Sequence, residues 1–257
     1  MQVPVRGTIR ERTVEPYVRL LHDLRRRRRV RGVLLDISSG GGESIASMDL
    51  YLAVKRLDAV KPVVAIFGAQ GTSGAYLAAL GARRLWAYPE SLVGSIGVVF
   101  PHVAVARLAR RLGVDVEWIH AGEHKDAYQG YRPLTEAERV HLQSLADENH
   151  ELFIELVARE RKKSVEEIRA LSTGDFWSGR TAKKVGLVDA LGDREMALEE
   201  LAQLTGVPAS RTRRWTPPRP WLARLFGASL GPVWGSLREE LIEALDDLRL
   251  EARGGLR

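Results

Sequence analysis

The chain has 257 residues, 45% of them hydrophobic, which is enough to bury a sizeable core in one large α/β domain or two small ones. It contains no cysteine, which excludes disulfides, thiol nucleophiles and cysteine metal sites. Its six histidines include no His-Glu-x-x-His pair, so neither a metal nor another cofactor is expected. The net charge of +6 suits an anionic surface, yet no run of about 18 apolar residues exists to span a membrane, and residues 1–12 hold no apolar segment of the secretory kind.

In chain order, residues 3–9 read as a short edge strand, followed by a helix over 14–28 with Thr13 as its cap and Pro16 in its first turn. Five arginines, Arg25 to Arg29, close that helix. Cations favour a helix C-terminus, and without interleaved aromatic residues the run reads as a solvated helix end, not a nucleic-acid patch. Residues 32–37 have the continuous apolar pattern of a buried parallel strand. They run into Ser38-Ser39-Gly40-Gly41-Gly42-Glu43 and then a helix over 44–57. Gly40 and Gly42 begin a G-x-G, but Ile45 stands where the third glycine belongs and no G-K-[ST] follows, so this is not a nucleotide loop. Its backbone N–H groups suit an oxyanion instead.

The next strand, 63–67, breaks into Gly68-Ala-Gln-Gly-Thr-Ser73-Gly-Ala-Tyr76 before a helix over 76–80. Glycines around a serine permit a sharp turn that leaves the hydroxyl clear, and the amide of Gly74 at the helix start faces developing negative charge. Ser73 is therefore a nucleophile of the right shape. Further strands are expected over 84–88 and 94–100, a helix over 102–112 ended by Gly113, and a strand over 114–119 leading to Lys125. Thr135 and Glu138 form a capping box that opens a long helix to about Arg161. Short elements over 165–171, 176–180, 181–185, 187–188 and 194–204 complete the α/β alternation.

Composition shifts at Arg211, which divides the chain into a domain over 1–210 and a Pro-, Arg- and Trp-rich extension over 211–257. The extension ends in a helix capped by Ser236 and Glu239 with Leu237, Leu241, Leu245 and Leu248 on one face. Trp215, Trp221 and Trp234 among the arginines of this tail have the composition of a membrane-interface contact, and packing between subunits accounts for them equally well.

A serine nucleophile needs a base. Spacing alone leaves two in contention, His102 and Lys125. The ordered motifs Asp36-Ile-Ser-Ser-Gly-Gly-Gly42, Lys61-Pro-Val-Val-Ala, Thr72-Ser73-Gly-Ala-Tyr76, Gly94-Ser-Ile-Gly-Val98, Gly122-Glu-His-Lys125 and Ala182-Lys-Lys-Val-Gly186-Leu-Val-Asp189 resemble the signal peptide peptidase A (protease IV) family of serine proteases in its short bacterial form. The resemblance implies a Clp protease/crotonase-like fold of repeated β-β-α units with a helical C-terminal extension. It also implies a Ser/Lys dyad of Ser73 and Lys125, with Ser95 positioning the lysine and the amides of Gly74 and of Gly41 or Gly42 forming the oxyanion hole. From the same resemblance follow peptide substrates such as signal-peptide remnants or other unfolded apolar peptides, ring- or dome-shaped homo-oligomers and a membrane-associated location, with no nucleic-acid partner. The sequence departs from that family in two motifs: the usual Asn-Ser-Pro-Gly-Gly loop lacks its proline, and the usual Ser-Gly-Gly is Ser73-Gly74-Ala75. Two other classes share the implied fold, a Clp-like protease that would use His102 and a crotonase-like acyl-CoA enzyme that has no use for the Ser73/Lys125 pair.

Overall fold

The computed structural model describes residues 1–216. The chain divides into two units, Met1–Trp215 and Thr216–Arg257, of which the first is described here. The helix expected near Ser236, with Trp221 and Trp234, lies outside the described residues.

The order is β1 (Gln2–Arg6), α1 (Glu11–Arg26), β2 (Val33–Ser39), α2 (Ser44–Asp58), β3 (Val63–Thr72), α3 (Gly74–Ala79), β4 (Arg84–Ala87), β5 (Leu92–Gly94), α4 (Ala106–Arg111), α5 (Glu136–Arg161), α6 (Val165–Arg169), β6 (Phe176–Ser178), α7 (Gly179–Lys184), β7 (Ala190–Leu191) and α8 (Arg194–Thr205). Strands β1-β2-β3-β4-β7 lie side by side in that order, all parallel. β3 is shared. Val64–Phe67 pair with β4, while Gln70–Thr72 pair with β5, which pairs antiparallel with β6. The end of β3, where the chain reaches Ser73, thus stays beside β2 through Ser39 and Gly71 but exchanges β4 for β5 on its other side, within one seven-stranded sheet.

Side-chain alternation explains why both faces are covered. Val33, Leu35, Ile37, Val63, Ala65 and Phe67 join a large core with α1, α2, α3 and α5. Leu34, Val64 and Ile66 point the other way, onto Ala197 and Leu201 of α8 and onto Trp86. Each Val, Leu, Ile or Phe side chain among them contributes about 1.5–3 kcal/mol when fully buried. A carboxylate lies against the sheet: Asp36, 2% exposed, is held by Gln2 Nε2 at 2.9 Å, Arg6 at 2.8 Å and Arg194 Nε at 2.8 Å. Three partners from β1 and α8 compensate its desolvation, and removing one leaves a costly uncompensated charge.

Residues 213–215 run beside β1: Gln2 N–H donates to Arg213 O at 2.8 Å and Trp215 N–H to Gln2 O at 2.8 Å. The Trp215 ring meets Tyr17 edge-on at 5.1 Å. Trp215, expected as part of an interfacial tail, therefore packs on the domain.

Several expected boundaries move. α1 starts at Glu11, and Thr13 sits in its first turn, its hydroxyl accepting from the Arg10 N–H at 2.9 Å. The strand over 94–100 is confined to β5, the helix over 102–112 shortens to α4, and 114–119 forms no strand. The reason is packing. In this segment Val99, Leu112, Trp118 and Ile119 are exposed, Ile119 to 96%. A strand needs a neighbouring edge and a covered face, and apolar residues alone supply neither. Leu187 and Val188 are buried, but the strand expected over them lies three residues later, as β7.

Candidate active site

Ser73 joins β3 to α3 with φ 51° and ψ −127°, a conformation that non-glycine residues rarely adopt and that costs on the order of 1–3 kcal/mol. Its N–H donates to Gly94 O at 2.7 Å, which fixes the turn from the β5 side. Behind it, the buried Tyr76 hydroxyl donates to Leu187 O at 2.8 Å, anchoring α3 to the 182–189 motif. Burial pushes the Tyr76 phenol well above its ordinary range. Beside it Arg161 donates to Asp189 Oδ1 at 2.7 Å and Oδ2 at 3.2 Å, and the Leu85 N–H donates to Oδ2 at 2.7 Å. Burial pushes the Asp189 carboxyl up, but these bonds win and hold it below the usual range.

The glycine loop after β2 is pressed against this turn. A Cβ on Gly41, whose φ is 95°, would fall 2.6 Å from Gly74 N. A Cβ on Gly74 would fall 2.1 Å from Ser47 Oγ and 3.3 Å from Gly42 N. Neither position admits a side chain, and the amides of Gly42 and Gly74 are thereby brought close together.

The hydrogen bonds then decide between the two loop amides. Gly41 N–H is already spent on Ser39 Oγ at 3.1 Å. Among the described residues Gly42 N–H and Gly74 N–H have no acceptor; the first amide of a helix never has an intrahelical one. Two amides without an acceptor thus lie close to each other beside the Ser73 turn.

A brace that sequence reasoning missed stands one residue before the position of the missing proline, Gly40. Ser39, 1% exposed, donates its hydroxyl to Gly7 O at 2.6 Å while accepting from Gly41 N–H. Ile9 N–H donates to Gly41 O at 2.9 Å, Glu43 N–H to Ile9 O at 2.9 Å, and Glu11 N–H to Glu43 Oε2 at 2.8 Å. The β1–α1 connection therefore clamps the loop on both sides. Ser39 next to a glycine run is a visible signal for such a bond; Ile9, which acts through its backbone, gives none.

Of the remaining sequence-derived residues, Ser95 lies one residue beyond Gly94, with φ 49°. Its N–H donates to Asp175 O at 2.8 Å and its hydroxyl to Gly174 O at 3.0 Å, so that hydroxyl is turned to the 174–175 loop and not to a lysine. Lys125 sits in a turn closed by its N–H to Gly122 O at 3.1 Å, with its side chain exposed and no hydrogen bond to Ser73 or Ser95 among the described residues. This turn is tethered to α5: Arg132 binds Asp126 at 3.1 and 3.2 Å and Glu138 at 2.7 and 2.9 Å. Arg132 holds the Asp126 carboxyl below its ordinary range and pulls Glu138 down to about 2. His102 Nε2 is engaged by Arg132 O at 2.9 Å. The structure thus assembles Ser73, Gly42 and Gly74, and leaves both prospective bases on the exposed segment over 99–131.

The profile of peptidase family S49 matches residues 55–208, which include Ser73, Ser95 and Lys125. The chain belongs to peptidase family S49. It is 40% identical over 191 residues to the protein MJ0651 of Methanocaldococcus jannaschii, covering 74% of this chain and 61% of that one. It is 28% identical to the serine protease SPPA, chloroplastic, of Arabidopsis thaliana, covering 77% of this chain and 29% of that one. The chain thus spans less than two thirds of each of these two relatives. Among solved structures, a ClpP1 mutant from Listeria monocytogenes superposes with a TM-score of 0.52 at 16% identity, over 76% of this chain and 93% of that one. The fold of this S49 member is Clp-like, with the parallel sheet and the β3–α3 turn as its frame. Among the described residues no helix is long and apolar enough to cross a membrane.

Proposed function

We propose that this S49 chain is a serine endopeptidase in which Ser73 is the nucleophile, Gly42 and Gly74 bind the oxyanion and Lys125 is the general base. The observation that carries the reading is the strained Ser73 turn with two unspent amides converging beside it. In this mechanism the neutral Lys125 amine accepts the Ser73 hydroxyl proton as Oγ adds to a peptide carbonyl. The negative oxygen is held by the two amides; the lysine returns the proton to the leaving amine, and water, deprotonated by the same lysine, releases the acyl group.

A lysine accepts a proton only when neutral, and burial favours that form. The segment that bears Lys125 also exposes Val99, Leu112, Trp118 and Ile119. Contact with further copies of the chain would cover these side chains and enclose the lysine in one step, so the active form is an oligomer. An enclosed site accepts extended apolar peptides, the class to which signal-peptide remnants belong, and turns away folded proteins.

Labelling with a fluorophosphonate, followed by mass spectrometry of the adduct, tests the assignment. The adduct should map to Ser73, and Ser73→Ala should lower peptide hydrolysis by a factor on the order of 10³ or more with the fold intact. Undiminished turnover by the purified Ser73→Ala protein would falsify the assignment.

A further inference from the structure

Because β1, β2 and β3 are parallel, Met1, Gly32 and Pro62 lie at the end of the sheet remote from Ser73; β3 alone has 10 residues, about 33 Å of extended chain. At that remote end a groove of about 1060 Å³ opens between the end of α1, α8 and residues 207–213. Leu198, Leu201 and Val207 supply apolar wall, and Arg28, Arg29, Arg31, Arg211 and Arg213 line it from two separate stretches of chain. None of the lining residues carries a carboxylate; Arg27, which also lines the groove, pairs with Asp23 at 3.6 Å, and among the described residues none of the other five guanidinium groups has an ion-pair partner. Like charges held together without counter-charge repel, and a bound anion relieves the repulsion. Lys61 alongside feels it: its ammonium, bonded to the Leu24 and Arg27 carbonyls, is disfavoured by burial and then by the charge of Arg31.

We propose that this arginine-lined groove binds the phosphate headgroups of an anionic bilayer, docking the protein by the end of the sheet opposite its serine. Planar guanidinium forks pair bidentately with phosphate oxygens. Val60 and Leu204, 58% and 44% exposed, stand among Arg28, Arg31 and Lys61, giving the rim the mixed apolar and cationic surface that a headgroup layer accepts. The groove is lined by no aromatic side chain on which a nucleobase could stack, which favours lipid over single-stranded nucleic acid. The docking is independent of the catalytic reading, since it uses none of the residues around Ser73.

The test is co-sedimentation of the full chain with vesicles of phosphatidylglycerol and phosphatidylcholine, compared with pure phosphatidylcholine. A triple variant, Arg28→Ala/Arg31→Ala/Arg211→Ala, is set against a control of equal charge loss elsewhere, Arg19→Ala/Arg56→Ala/Arg139→Ala. Unchanged circular dichroism and fluorophosphonate labelling establish that both variants fold. The expected result is salt-sensitive binding to the anionic vesicles alone, weakened at least tenfold in the groove variant and less than twofold in the control. Equal weakening in the two variants reduces the effect to net charge and overturns the proposal. So does failure of the full chain to sediment with the anionic vesicles, binding that survives the groove variant, or a groove variant that loses affinity for single-stranded DNA while keeping its affinity for the vesicles.

Discussion

At the scale of single residues, the glycine loop after β2 shows how a lost constraint is replaced. Where the resembled motif carries proline, this chain has Gly40, and rigidity comes from Ser39 and from the backbone of Ile9. Ser39→Ala frees the Gly41 amide and lets the loop wander. Removing an oxyanion donor outright costs about 10²–10³ in kcat; removing its support should lower kcat by about ten- to a hundredfold and leave KM nearly unchanged, a split that steady-state kinetics on one peptide can read. An equal change in both constants would mean that Ser39 shapes substrate binding instead. Lys125→Arg should be inactive, since guanidinium stays protonated throughout the working range, and near-native turnover of this variant would remove Lys125 from the mechanism. Ser73 and its glycines were readable because a tight strand-to-helix turn has a local signature. Ser39 was not singled out, because its partner Gly7 O lies 32 residues away in sequence.

Elements with local signals came out where the sequence placed them: α2 after the glycine loop, and α5 from its Thr135/Glu138 box, in which the Glu138 N–H donates to Thr135 Oγ1 at 3.3 Å. The 99–131 segment did not, because apart from Ala106 and Ala127 most of its apolar residues stay exposed, and order there depends on contacts the local pattern does not encode. A charged tether of this segment is the Asp126–Arg132–Glu138 clamp. Both carboxyls lie below their unfolded values, so the clamp's contribution is complete above the ordinary carboxylate range near pH 4 and is lost as pH falls through the folded values, about 2 for Glu138. Amide exchange of residues 122–131 should therefore be limited by the clamp from pH 5 to 8, once corrected for the intrinsic rate, and lose protection only below pH 4. Arg132→Ala should abolish that protection at neutral pH and slow peptide turnover, while Ser73 remains open to a fluorophosphonate. Protection in the variant equal to that of the parent chain would mean that something else holds the turn.

At the scale of the whole molecule, the sheet explains what composition alone could only bracket: one parallel layer with apolar side chains on both faces is the reason that 45% hydrophobic residues suffice. The exposed side chains of the 99–131 segment are the surplus. Leu112→Asp/Ile119→Asp should shift the particle mass measured by light scattering toward the monomer and remove peptide turnover together with assembly. A monomeric parent chain with full activity would defeat the oligomer reading. Because residues 213–215 lie along the outer side of β1, they also act as a guard on what would otherwise be an open template for strand addition. Shortening the protein therefore has a threshold. A chain stopped after Thr216 keeps the guard, whereas one stopped at Pro208 bares the β1 backbone, strips Trp215 from Tyr17, and should clump into thioflavin-positive aggregates on warming at a lower temperature than the chain stopped after Thr216.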